Sequence, residues 1–170
     1  MSNLLEWAQI QQGKEVFVPG PVLLGSAVSQ NVNLLIDRGN KKGIEILSEI
    51  PKTQTVTADE SMLNSIIRNL LSNAIKFTSK GGKVIFKSRE TENNMIEISV
   101  SDNGIGMSRE LVSKLFKLEE KVGRPGTEGE ASTGLGLLLC KEFVEKHKGK
   151  IWAKSVLGEG STFYFTVPAG

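Results

Sequence analysis

Cysteine and histidine are almost missing: Cys140 and His147 are the only ones in 170 residues. A lone cysteine cannot close an internal disulfide, and this one lies in the apolar run LGLLLC, the setting of a small buried hydrophobe in a reducing compartment. One histidine and one cysteine cannot assemble a thiolate or imidazole metal cluster. His147 falls near a helix C-terminus, where positive charge is favoured, and is read as structural. Long apolar runs are missing too: nothing approaches the roughly 20 residues that carry a helix across a bilayer. The opening MSNLLEWAQIQQ has neither the charged start nor the apolar centre and small-residue cleavage site of a signal peptide. A cytoplasmic domain with no direct membrane contact is expected, in a parent protein free to be membrane-anchored. Neither sign of charge dominates. The 21 basic and 19 acidic side chains are interspersed, for a net charge of +2, whereas a nucleic-acid footprint gathers Lys and Arg on one face. The chain also lacks a G-x-x-x-x-G-K-[ST] loop, and it has no G-x-G-x-x-G in a strand-to-helix setting with a following acidic residue. The usual phosphate-binding folds are therefore poor candidates.

What is present is an ordinary globular balance, 39% apolar and 24% charged, over a length that suits one domain with a real core. Residues 3 to 12 read as the last turns of a helix without a matching start. Val16 to Val18 reads as a short strand stopped by Pro19-Gly20-Pro21, and residues 22 to 38 as a helix ending at Gly39-Asn40. Ile44 to Ile50 and Thr53 to Thr57 alternate as strands do. A central helix opens at Thr57 or Asp59, either of which can cap it. Lys83 to Arg89 and Met95 to Val100 form a hairpin pair, followed by a short helix from about Ser108 to Leu115. A helix from Gly134-Leu135-Gly136 to His147, closed by Lys148-Gly149, precedes two final strands, Ile151 to Val156 and Ser161 to Val167. Helices layered on one face of a mixed sheet, an α+β architecture, fit this order better than a regularly alternating parallel sheet.

Three motifs carry chemistry. On the central helix, NLLSNAIKFT places Asn69, Asn73 and Lys76 on one face, since residues three and four apart are neighbours there. That stripe reads either as a solvated face or as a site. Asn is a poor helix former, so two at a spacing of four need a reason. An amide oxygen can hold Mg²⁺ beside phosphate oxygens, and lysine adds a mobile point charge. SDNGIG puts the Asp102 carboxylate at a strand end before two glycines. By itself it reads as a turn, and equally it is a carboxylate able to accept from an exocyclic amine. STGLGL is a glycine-rich entry to a helix, where exposed amides bind anions or where glycine allows close packing. Between the last two motifs, residues 117 to 133 are long, polar and glycine-rich, as functional or disordered segments are.

In this fixed order the motifs resemble the catalytic and ATP-binding domain of sensor histidine kinases, of the superfamily shared with DNA gyrase, the Hsp90 chaperone and the MutL proteins. NLLSNAIKFT resembles the N box, SDNGIGMS the first glycine box, LFKL at 115 to 118 the F box, STGLGL the second glycine box, and GEGSTFYFTVP the closing strand. The resemblance covers about residues 14 to 168. It implies a two-layer α/β sandwich of the Bergerat type, a mixed and mainly antiparallel sheet covered on one face by three helices. It implies ATP and Mg²⁺ as cofactors, with Asn73 binding Mg²⁺ and Asn69 and Lys76 contacting phosphate or metal. Asp102 would accept from the adenine amino group with Thr162 in support, and Gly104 and Gly106 would shape the adenine pocket. Thr133, Gly134, Leu135 and Gly136 would bound the phosphates. Residues 117 to 133 would be an ATP lid, with Phe116 at its base and Lys121 or Arg124 reaching phosphate.

Where hydrolysing members carry a glutamate four residues before the metal-binding Asn, this chain has Asn69, a poor general base. The resemblance is therefore to the kinases. Their phosphoacceptor histidine lies on a preceding helical hairpin; no such histidine is present, and residues 1–13 resemble the end of that hairpin's second helix. The expectation is a catalytic domain over 14–170. It would donate the γ-phosphoryl group to a histidine on a separate dimerisation hairpin for transfer to a response-regulator aspartate. The isolated chain would be a monomer and the parent a homodimer. The competing readings are a non-catalytic nucleotide-binding regulatory module and an anti-sigma-factor-type serine kinase.

Overall fold

A computed structural model of the chain describes residues 3–13, 16–117, 126–127 and 135–170. Among these the elements run α1 (Asn3–Gln11), β1 (Pro19–Leu23), α2 (Leu24–Lys41), β2 (Glu45–Ser48), β3 (Thr55–Asp59), α3 (Glu60–Phe77), β4 (Lys83–Glu90), β5 (Met95–Asp102), α4 (Arg109–Lys114), α5 (Gly136–Lys146), β6 (Ile151–Val156) and β7 (Gly160–Pro168). Five strands form one sheet in the order β2-β4-β5-β7-β6. Only β2 and β4 are parallel; the other three pairings are antiparallel. β1 and β3 make a separate antiparallel pair. The fold is the α+β, mainly antiparallel arrangement that the sequence implied.

The sheet has one covered face, and alternation decides which side chains reach it. Ile96, Ile98 and Val100 of β5 and Phe163, Phe165 and Val167 of β7 are buried there. α3 packs on this side with α2 and α5 flanking it. Its Leu63, Ile66, Ile67, Leu70 and Leu71 are fully enclosed, each burial contributing about 1.5–3 kcal/mol. The opposite face is polar and open. It carries the Arg89–Glu97 ion pair at 2.7 Å and a Trp152–Tyr164 stack with centroids 5.2 Å apart.

Of the two candidate caps, Thr57 and Asp59, it is Asp59 that caps α3. Its Oδ1 accepts from Met62 N at 3.0 Å while Oδ2 accepts from Val18 N at 2.8 Å. The Asp59 N–H donates to His147 Nε2 at 3.0 Å, so the ring proton sits on Nδ1 and is donated to Phe143 O at 2.7 Å. His147, only 2% exposed, thereby ties the end of α5 to the start of α3.

Two expectations need correction. Val16–Val18 lies outside any strand, and β1 is built instead from PGPVL. Pro19 and Pro21 are two apart, so their missing donors fall on the same edge of a strand that pairs only with β3. Leu24, of the other parity, donates to Gln54 O at 3.0 Å. Likewise α2 starts at Leu24 and runs through Gly39-Asn40 to Lys41. Gly39 is buried beside Ile46, a packing position of the helix and not its stop.

Candidate active site

The polar stripe of α3 forms as its spacing predicts, and its members differ in burial. Asn69 is 8% exposed, and its Nδ2 donates to Ser65 O at 2.8 Å and lies 3.3 Å from Ser65 Oγ. Asn73 and Lys76, one and two turns further on, are half-buried.

The last turn of α3 is closed by a residue the sequence did not single out. Lys42, following α2, is 6% exposed. Its Nζ donates to Ile75 O at 2.8 Å, Lys76 O at 3.1 Å and Thr127 Oγ1 at 2.6 Å. Helix C-terminal carbonyls carry partial negative charge, which suits a buried ammonium. Thr127 in turn donates its N–H to Lys76 O at 2.8 Å, which ties part of the expected lid to the backbone of Lys76. No local pattern distinguishes Lys42 from its neighbour Lys41.

Asp102 ends β5 with the same parity as Ile98 and Val100, so its carboxylate lies on the covered face at the edge of the helical layer. Its Oδ1 accepts from Gly104 N at 2.9 Å. A Cβ at Gly104 would overlap Phe77 O, and the adjacent Ile105 N–H donates to that carbonyl at 2.9 Å. Gly106 has φ +67°, and a Cβ there would overlap Val156 O. Ile105 O accepts from Gly158 N at 2.7 Å. The first glycine box is thus clamped between the end of α3 and the β6–β7 turn. Glycine is needed at both positions, once for close approach and once for a left-handed backbone.

Thr162 does not support Asp102 in the way expected. The register pairs Ser101 with Thr162 and Asp102 with Ser161, and the Thr162 hydroxyl meets Ser101 Oγ at 2.8 Å. Residues paired across a sheet share a face, and successive residues do not. Thr162 therefore projects from the open face, and Ser161 is its counterpart on Asp102's side. Ser161 Oγ meets Ser155 Oγ at 2.9 Å, and Ser155 Oγ accepts from Met107 N at 2.7 Å, bracing the loop.

Phe116 packs against the core, and its carbonyl accepts from Lys141 Nζ at 3.4 Å. Leu135 occupies the N-cap of α5 without a side-chain capping bond, and Gly136 is the first helical residue. Lys121, Arg124, Thr133 and Gly134 lie outside the described residues. Among the described residues no group of three or more His, Cys, Asp or Glu could hold a metal ion. A divalent ion at Asn73 would therefore take a neutral amide oxygen from the chain and the rest of its ligands from phosphates and water, a donor set that fits Mg²⁺. Among the described residues no helix is long and apolar enough to cross a membrane.

Comparisons with known proteins agree with this geometry. A family model described as "Histidine kinase-, DNA gyrase B-, and HSP90-like ATPase" matches residues 58–170. The chain is 34% identical over 151 residues to the adaptive-response sensory kinase SasA of Synechococcus elongatus, a match covering 88% of this chain and 38% of SasA. The nucleotide-free catalytic domain of histidine kinase ThkA superposes with a TM-score of 0.77 at 27% identity, over 89% of this chain and 96% of that one. Full-length ShkA in complex with AMPPNP gives a TM-score of 0.82 at 27% identity, over 99% of this chain and 35% of that one. The chain thus spans well under half the length of SasA.

Proposed function

The chain belongs to the histidine kinase-, DNA gyrase B- and HSP90-like ATPase family, as the ATP-binding catalytic module of the sensor histidine kinase type, and from that premise we propose how it works. It holds Mg·ATP and donates the γ-phosphoryl group to a histidine on a dimerisation hairpin, for onward transfer to a response-regulator aspartate. In this reading α1 is the trailing end of that hairpin, residues 14–170 are the catalytic domain, and the isolated chain is a monomer.

Asp102, held by Gly104 N–H, accepts from the adenine amino group. Asn69 and Lys76 contact phosphate or metal, and Asn73 supplies an amide oxygen to Mg²⁺, which when bound neutralises phosphate charge. Residues 117–133, with Lys121 and Arg124, close over the nucleotide, and Thr133 to Gly136 bound its phosphates. Phosphoryl transfer asks mainly for positioning and charge neutralisation. A neutral amide at Asn69 activates water poorly, so the nucleotide is kept for transfer.

The observation that carries this reading is the Ile105–Phe77 backbone bond of 2.9 Å. It locks the base-reading loop onto the end of the helix bearing the phosphate-facing stripe, with Lys76 adjacent to the anchoring residue.

Calorimetric titration with AMPPNP, with and without Mg²⁺, tests it. Binding that tightens with Mg²⁺ and is lost in Asp102→Ala is expected, followed by phosphorylation in trans of a separately supplied acceptor hairpin from ATP. Absence of binding by the intact chain would overturn the assignment. Binding without transfer would leave a regulatory nucleotide module in its place.

A further inference from the structure

Three carboxylates are buried among the described residues, Glu6, Asp59 and Glu97. Asp59 caps α3 and Glu97 pairs with Arg89 on the open face. Glu6 does neither. It projects from α1 toward α3 at 7% exposure, where Oε2 accepts from Ser65 Oγ at 2.9 Å and Oε1 lies 3.4 Å from the Arg68 guanidinium. Its negative charge also reaches Cys140 of α5, whose thiol burial pushes up and Glu6 pushes up further.

A buried carboxylate is costly unless it is paired and hydrogen-bonded, and this one is held by a residue one helical turn before Asn69. An ionised carboxylate only accepts, so the single Ser65 hydroxyl proton goes to Glu6 and its lone pairs are what it offers elsewhere. They face Asn69 Nδ2 at 3.3 Å, beside the 2.8 Å bond from the same nitrogen to Ser65 O. Donation therefore runs in one direction, from Asn69 Nδ2 to Ser65 Oγ and from Ser65 Oγ to Glu6 Oε2. With its NH₂ group drawn back along α3, the Asn69 amide has its oxygen as the other end.

We propose that Glu6 is a positioning residue which, through Ser65, sets the orientation of the Asn69 amide so that its oxygen, an acceptor, faces the metal. The phosphate half of the site thereby depends on the docking of α1. Without Glu6 the Ser65 proton needs another acceptor, and the Asn69 amide already lies 3.3 Å from Ser65 Oγ, so that its oxygen can turn inward to serve. The proposal rests on the reading of Asn69 as a phosphate- or metal-contacting residue.

Two readouts test it. In the nucleotide-free, isotope-labelled chain, the Asn69 side-chain amide protons give displaced, slowly exchanging NMR signals. Glu6→Ala and Ser65→Ala shift them, while Glu6→Gln and Ser65→Thr, which keep an acceptor and a hydroxyl, hold them in place. In calorimetry with AMPPNP, the same two disruptive variants lose about tenfold of the Mg²⁺-dependent affinity, while Mg²⁺-free binding stays within about twofold and the conservative variants recover both. Asn69 signals unmoved by both Ala variants overturn the proposal. So does an affinity that falls equally with and without Mg²⁺, which is the mark of general loosening. Should the intact chain bind no nucleotide, the functional reading falls, and the nucleotide-free Asn69 signals alone still decide whether Glu6 orients the amide.

Discussion

α3 is closed at both termini, at one by its own N-cap Asp59 with the distant His147 and at the other by the distant Lys42 and Thr127, and the two closures differ. At the N-terminus Asp59 and His147, 7% and 2% exposed, are joined by the Asp59 N–H donating to His147 Nε2, while Asp59 Oδ1 accepts from Met62 N. At the C-terminus Lys42 and Thr127, bonded to each other, satisfy the backbone carbonyls of Ile75 and Lys76, while the side chains of Asn73 and Lys76 stay half-exposed. The same physical requirement, that helix-end groups find partners, is met by a carboxylate and an imidazole at one terminus and by an ammonium and a hydroxyl at the other. The residues proposed to meet nucleotide lie at the terminus whose backbone Lys42 and Thr127 seal.

The largest way to break this contrast is Gly104→Ala. Its methyl would overlap Phe77 O, forcing the Asp102 loop off the helix. Destabilisation of about 3 kcal/mol, read by thermal melting, should accompany loss of nucleotide binding. Wild-type affinity in a folded Gly104→Ala chain would show that the lock onto α3 is dispensable. Lys42→Met comes next, because it keeps the aliphatic stem and removes the donor from Ile75 O and Lys76 O. A cost of about 2 kcal/mol is expected, together with weaker AMPPNP binding, since the backbone of Lys76 loses its anchor. Asp59→Ala sharpens the comparison from the other terminus. Loss of the cap should cost about 1 kcal/mol with nucleotide affinity unchanged in calorimetry; a parallel fall in affinity would mean that the two termini are not independent.

The smallest effect concerns Cys140 on the neighbouring helix α5. Burial holds its thiol well above the usual range, so the folded chain keeps it protonated while the unfolded chain ionises at its ordinary value. The unfolded state therefore gains as pH rises past about 8.5, and the contribution that is complete below that pH has shrunk by about 0.8 kcal/mol at pH 9. Denaturant titrations from pH 7 to 9 should show stability falling faster in the parent chain than in Cys140→Ala. Equal slopes would mean that the thiol ionises in the folded state.

Much of the site was legible before any coordinates. Asn69, Asn73 and Lys76 sit on one face because helical periodicity is local, and Asp59 was recognisable as a cap because its position before the helix determines what its carboxylate can reach. β1 was misread because proline usually interrupts a strand, and only pairing along a single edge makes PGPVL tolerable. Thr162 was given to Asp102 by the family resemblance, whereas a register of Ser101 opposite Thr162 sends its hydroxyl to the other face. Lys42 carried no signal, since a lysine after a helix is commonplace until Ile75, Lys76 and Thr127 close around it.

Short-range chain geometry settled which residues could form the stripe, the caps and the glycine turns, because each depends on neighbours within about one turn. Which glycine had to be a glycine, which lysine is buried, which hydroxyl faces Asp102 and which carboxylate reaches Ser65 were decided by tertiary packing. Those contacts join residues 27 to 85 positions apart, such as Phe77 with Gly104 and Lys42 with Thr127, and sheet register and helix docking set their distances where no local pattern can.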